Sequence, residues 1–183
     1  MSSDFPLAPP LAVAHWLNAD APLTLKALRG RVVLLHAFQM LCPGCVAHGL
    51  PQAAKVYDMF DRRDLVVIGL HTVFEHHAVT GVEALKAFAH EYRLRFPIGV
   101  DTPAPRGPIP LTMQAYELGG TPSVVLIDRQ GRIRLNQLGR VDDMALGALI
   151  GELMADGGRP DALRATAAGP GSAGNCDDDA CAA

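Results

Sequence analysis

The sequence lacks any long apolar run: nowhere do about 18 apolar residues follow one another, so no membrane-spanning helix is expected. It also lacks an excess of charge. Lys and Arg number 16 and Asp and Glu 19, a net charge of −3, and so weak a field gathers neither nucleic acid nor an anionic membrane surface. Neither is expected as a partner. The opening Met-Ser-Ser-Asp-Phe-Pro-Leu-Ala-Pro-Pro has no basic start, and its prolines break the little apolar stretch there is. No secretory signal is read in it, and the cytoplasm is the default compartment. Cysteine is scarce, with four in 183 residues. They fall into two pairs, Cys42 with Cys45 and Cys176 with Cys181. In a reducing compartment such a pair is more often catalytic or metal-binding than a structural staple.

What is present is enough apolar material for one core: 49% of residues are hydrophobic and 19% charged, far from the composition of a disordered chain. The run Arg31-Val-Val-Leu-Leu-His-Ala-Phe38 reads as a buried strand. A helix is expected from Cys45 to Phe60, since Val46, Leu50, Ala53, Ala54, Tyr57 and Phe60 recur at helical spacing, with a kink at Pro51. Leu65–Leu70 reads as a second buried strand, giving a βαβ unit with a parallel pair. His71–Gly81 reads as a polar loop, and Val82–Tyr92 as a helix with Leu85, Phe88, Ala89 and Tyr92 on one face. Phe96–Val100 reads as a short strand, Asp101–Pro110 as a loop, and Thr112–Leu118 as a short helix ending at Gly119-Gly120. Ser123–Asp128, a turn at Arg129-Gln-Gly131, and Arg132–Leu138 form a hairpin. A last helix spans Asp142–Met154, capped by Asp142, with Met144, Leu146, Leu149, Ile150 and Leu153 available to the core. The fold class is therefore α/β, residues 1–156 forming one domain. Residues 157–183 read as a flexible Gly/Ala/Asp tail carrying the C-x4-C pair.

Cys42-Pro43-Gly44-Cys45 sits where a strand hands over to a helix. Unpaired N–H groups at a helix start favour a thiolate, the form that attacks disulfides. Pro43 costs nothing at the first helical position, and Gly44 leaves room for a substrate. Cys42 is accordingly the nucleophile and Cys45 the resolving thiol. No cofactor and no metal is needed for this chemistry. A four-cysteine zinc site shared with Cys176 and Cys181 is compatible with the spacings, and a zinc-holding module is weighed against redox work on that account. Thr121-Pro122 precedes a strand, where proline is tolerated.

Strand, C-P-G-C, helix, strand, then Gly-Gly-Thr121-Pro122 before a hairpin resembles the thioredoxin superfamily, and within it the TlpA-like and redoxin (AhpC/TSA-type) branch. The stretch from Trp16 to Gly30 is similar to that branch's lead-in, and Gly120–Gly131 to its cis-proline segment. The resemblance covers about Trp16 to Met154. It implies a thioredoxin-like fold, a central mixed sheet flanked by helices. It also implies a cis Pro122, with Thr121 and Pro122 presenting backbone to the substrate. Thiol–disulfide exchange with protein substrates, sustained by a cellular thiol reductant, is the expected activity. Leu41 departs from the tryptophan usual before the first cysteine, and Pro51 lies one residue later than the usual helix proline. His36 occupies the strand position where thioredoxins carry a buried acid. It is a candidate proton shuttle for Cys45, weighed against a plain core histidine. A peroxiredoxin-like peroxidase is the alternative enzyme, though Gln39 stands where Thr or Ser is usual there. A non-enzymatic redox sensor or metal-binding module is the third reading. Glu75, His76, His77 and His71 could cluster around a metal. The tail pair Cys176 and Cys181 is a candidate auxiliary redox relay or thiophilic metal ligand.

Overall fold

The computed structural model describes residues 5–156. The tail expected at 157–183, and with it Cys176 and Cys181, lies outside the described residues. Among the described residues there is one sheet of six strands in the order β1-β4-β3-β2-β5-β6. The strands are β1 (Val13–Leu17), β2 (Val32–Phe38), β3 (Leu65–His71), β4 (Ile98–Asp101), β5 (Ser123–Ile127) and β6 (Ile133–Leu138). β2, β3 and β4 run parallel, while β5, β6 and β1 pair antiparallel. β2 and β3 are buried along their whole lengths. A strand covered on both faces has no polar side to show, hence their unbroken apolar runs.

Among the described residues four α-helices cover the sheet: α1 (Leu50–Met59), α2 (Val82–Glu91), α3 (Leu111–Ala115) and α4 (Asp143–Ala155). Even-numbered residues of β2, Val32, Leu34 and Phe38, face a core built with α1, α2 and α4. Odd-numbered Val33, Leu35 and Ala37 face a second core with Met113 and Tyr116, under α3. The fold is thioredoxin-like, with the mixed sheet between helical layers. The hairpin β5–β6 turns on Gly131, whose φ of +75° suits glycine, while the Asp128 carboxylate accepts from Gln130 N and Arg132 N.

The structure corrects several readings. β1 is a strand that its mixed sequence does not announce. His71 closes β3 and is buried instead of opening a loop. β4 runs Ile98–Asp101 and α3 Leu111–Ala115. The carboxylate of Asp101 accepts from Thr112 N and Met113 N, which starts that helix earlier than its sequence suggests. Tyr92 and Met144 are exposed; α4 is apolar nearly all round, so its buried side, Leu146, Ile150 and Leu153, follows from packing alone. The distortion expected at Pro51 takes the form of a wide turn over Cys45–Gly49, where Leu50 N–H bonds the Cys45 carbonyl; the helix that starts at Pro43 passes through this turn into α1, with Pro51 at its second residue, and the widened turn accommodates the proline's ring and missing donor.

Asp142 caps α4, its carboxylate accepting from Met144 N and Ala145 N. An Asp142→Ala protein is expected to lose about 1 kcal/mol of stability, read as a lower urea midpoint at unchanged slope. At the opposite pole the guanidinium of Arg129 donates to Gly30 O, Asp64 Oδ1 and Met154 O. It ties the hairpin turn to the start of β2 and the end of α4. The segment Phe5–Ala8 lies on the same pole, with Ala8 N bonding Gly131 O and Ile133 N bonding Pro6 O.

Candidate active site

At the C-terminal end of β2, Cys42 N donates to Gln39 O at 3.2 Å and Val46 N to Cys42 O at 3.1 Å. Cys42 therefore begins the helix and Pro43 follows at its first position. Cys45 N–H points back at Cys42 Sγ at 3.3 Å. Such a donor bonds a negatively charged sulfur more strongly than a neutral one. The Cys42 sulfur also lies 3.5 Å from Thr121 O. Both cysteines are free thiols; Cys42 is half-buried and Cys45 fully buried. Burial, then the hydrogen bond with Cys42, pushes the Cys45 thiol up to about 12.

The Thr121–Pro122 peptide bond is cis, and Pro122 lies against the turn bearing the cysteines. A Cβ on Gly44 would stand 3.3 Å from Pro122 Cδ. A Cβ on Gly49 would run into the His36 ring and stand 3.1 Å from Pro122 Cβ. Gly49 is thus the residue whose lack of a side chain lets helix, strand and proline loop close on one another. Sequence reading did not single it out, because nothing in its neighbours marks a tertiary approach. Gly49→Ala is expected to cost about 1–3 kcal/mol, measured by denaturant unfolding, with a parallel loss of exchange rate as Pro122 shifts.

His36 is buried, its Nε2 has no hydrogen-bond partner, and burial lowers its pKa to about 4. It lies on the same face of β2 as Phe38, in the layer containing Cys45. His71 is likewise buried with both ring nitrogens unpartnered, 5.3 Å from the Phe38 ring centroid. Gln39 was read only as a departure from a peroxidase pattern. Its side chain in fact ties the site to the next loop, with Oε1 accepting from Phe74 N and Nε2 donating to Glu75 Oε1. Glu75, His76 and His77 are exposed. Among the described residues no three His, Cys, Asp or Glu side chains are grouped to hold a metal, and no helix is long and apolar enough to cross a membrane.

A cysteine pair at a strand–helix junction, opposed by a cis-proline loop on this sheet, defines a thioredoxin-fold redox protein. The sequence matches the AhpC/TSA family over residues 7–136, and the chain belongs to that family. It is similar to a thioredoxin-like superfamily protein of known crystal structure, 50% identical with a TM-score of 0.80, over 81% of this chain and 96% of that one. A thiol-disulfide isomerase from Corynebacterium glutamicum is 51% identical with a TM-score of 0.79, over 83% of this chain and 97% of that one. Among curated proteins, Protein DipZ of Mycobacterium tuberculosis is 29% identical over 147 residues, 79% of this chain and 20% of that protein. NHL repeat-containing protein 2 of Homo sapiens is 26% identical over 128 residues, 68% of this chain and 16% of that protein. The chain spans a fifth or less of the length of these curated relatives.

Proposed function

We propose that this protein exchanges dithiol and disulfide with protein substrates through Cys42 and Cys45. The observation that carries the reading is the asymmetry of the pair. The sulfur of Cys42 is half-buried at the helix start beside Thr121 O, while Cys45 is enclosed and its thiol stays protonated at neutral pH. Cys42 attacks the substrate disulfide, a mixed disulfide forms, and Cys45 attacks Cys42 Sγ, releasing the reduced substrate. Thr121 and Pro122 supply the backbone against which the substrate chain rests. The buried His36, its pKa lowered to about 4 by burial, is a weak base for the Cys45 proton. The similarity to a thiol-disulfide isomerase at 51% identity supports the same chemistry. A cellular thiol reductant completes the cycle, and the cytoplasm is the proposed compartment.

The test is equilibration in glutathione buffers of graded redox ratio, followed by thiol trapping and peptide mass analysis. A Cys42–Cys45 disulfide that forms and disappears with a defined midpoint is expected. A pair that stays reduced in every buffer would end this reading.

A further inference from the structure

We propose that Gln39 is a positioning residue of the exchange site: its buried amide, clamped by the loop after β3, holds its own peptide group against both cysteines and so sets the rate at which Cys45 resolves the mixed disulfide. This inference rests on the exchange chemistry above and names the residue that governs its second step. Gln39 is buried and directly follows the last residue of β2. The odd-numbered side chains before it, Val33, Leu35 and Ala37, belong to the core under α3, whereas Cys45 belongs to the core on the other face. Gln39 continues the odd series. Its side chain reaches Phe74, which packs on the α3 core, while its peptide group meets the cysteines. The residue is thus a lever across the end of the sheet.

Both ends of the amide are engaged. Phe74 N donates to Gln39 Oε1 at 3.4 Å, and Gln39 Nε2 donates to Glu75 Oε1 at 3.3 Å. The loop that supplies these anchors is itself braced. Thr72 N donates to Phe38 O at 3.1 Å, and farther on Val79 N and the Thr80 hydroxyl both donate to His76 O. A buried amide that lost such partners would be left unpaired, so the arrangement resists distortion. The peptide carbonyl of Gln39 accepts from Cys42 N at 3.2 Å. On Cys45, burial and then the bond with Cys42 push the thiol up; the backbone N–H of Gln39, ahead of the Thr121 side chain, pulls it back down.

The two steps of exchange use this peptide group differently. Cys42 draws its donor from the helix turn itself, the Cys45 N–H, and its attack does not depend on the Gln39 side chain. Cys45 must attack as a thiolate, and its enclosed sulfur has few donors to favour that form, so the aim of the Gln39 N–H counts. In the resolving step the Cys45 thiolate attacks Cys42 Sγ; the bond from Cys42 to the substrate sulfur breaks, and the proton given up by Cys45 ends on the departing substrate sulfur. In the reverse direction the Cys45 sulfur is the leaving group, and the same N–H meets its charge.

The experiment uses the full-length chain with glutathione disulfide as the probe. Cys42 first forms a mixed disulfide with glutathione; the rate at which a Cys42–Cys45 disulfide replaces it is followed by acid quenching, thiol trapping and peptide mass. Gln39→Met keeps the length of the side chain without its polar atoms. It is expected to slow this replacement about tenfold, while formation of the mixed disulfide stays within about twofold of the unaltered protein. Glu75→Ala removes one anchor at an exposed position, where substitution changes folding little, and is expected to slow the replacement about threefold. Glu75→Gln keeps an accepting oxygen without the charge and is expected to restore the rate. Equal replacement rates in the unaltered, Gln39→Met and Glu75→Ala proteins overturn the inference and leave the exchange reading standing. Slowing of both steps alike in Gln39→Met, with a lowered urea midpoint and no effect of Glu75→Ala, overturns it as well, because it marks a structural residue. A Glu75→Gln protein as slow as Glu75→Ala does the same, since charge and not the clamp would then set the rate. If the unaltered protein forms no Cys42–Cys45 disulfide at any redox ratio, the exchange reading and this inference fall together.

Discussion

A Cys42→Ser protein is expected to lose disulfide exchange by roughly three orders of magnitude or more, as when a covalent catalyst loses its nucleophile. Cys45 cannot take over. Its sulfur is enclosed, and a thiol at about 12 presents a thiolate fraction on the order of 10⁻⁵ at pH 7. Cys45→Ser behaves differently. In a chain whose tail cysteines are also serine, Cys42 still attacks, but nothing resolves the mixed disulfide. With an aromatic disulfide that releases a coloured thiol, this protein is expected to give one equivalent of colour per chain and stop. Repeated turnover by Cys45→Ser, or residual attack by Cys42→Ser, would reverse the assigned roles. The same pair of variants separates the peroxidase reading: if Cys42 consumed hydrogen peroxide, the unaltered protein would outpace Cys42→Ser in peroxide loss. No such difference is expected.

The second large effect is a loss of stability in acid. His36 and His71 are buried, and in each case burial lowers the pKa from 6.5 to about 4. The folded state therefore resists a proton that the unfolded chain accepts. For a depressed pKa, stability is fully present above the unfolded value and falls away as pH drops toward the folded one. The window is pH 6.5 down to about 4. Each histidine accounts for on the order of 3 kcal/mol across it, against about 5–15 kcal/mol for a whole domain. Asp61 acts in a lower window, because its bonds with Arg63 hold it down at about 2. The urea midpoint is thus expected to fall steeply between pH 6.5 and 4.5. His71→Leu is expected to flatten that slope by about half. An unchanged midpoint across this range would show that neither ring resists protonation.

Much of this was legible in the sequence. β2, β3 and β5 carry apolar runs rich in β-branched residues, the β5–β6 hairpin is marked by Gly131 at its turn, and the position of Cys42-Pro-Gly-Cys45 between strand and helix follows from them. The rest was hidden for physical reasons. β1 is half-exposed at the sheet edge, so neither alternation nor an apolar run announces it. His71 looked like the first of several loop histidines. It is instead the last residue of a fully covered strand, its ring against Phe38. Gly49 matters because of His36 and Pro122, residues far away in the chain. Gln39 draws its meaning from the loop at Phe74 and Glu75. Each of these is a tertiary relation with no local periodicity to betray it.

The pole tied together by Arg129 has a consequence for architecture. Phe5–Ala8 lies on the hairpin turn there, and Asp156 ends beside Arg134 at that same pole. The two points where the domain would join further sequence thus sit side by side, a sheet's height from Cys42. A unit with adjoining ends can be spliced into a larger polypeptide as a cartridge. That suits a fold occupying only a fifth or less of the curated proteins it resembles.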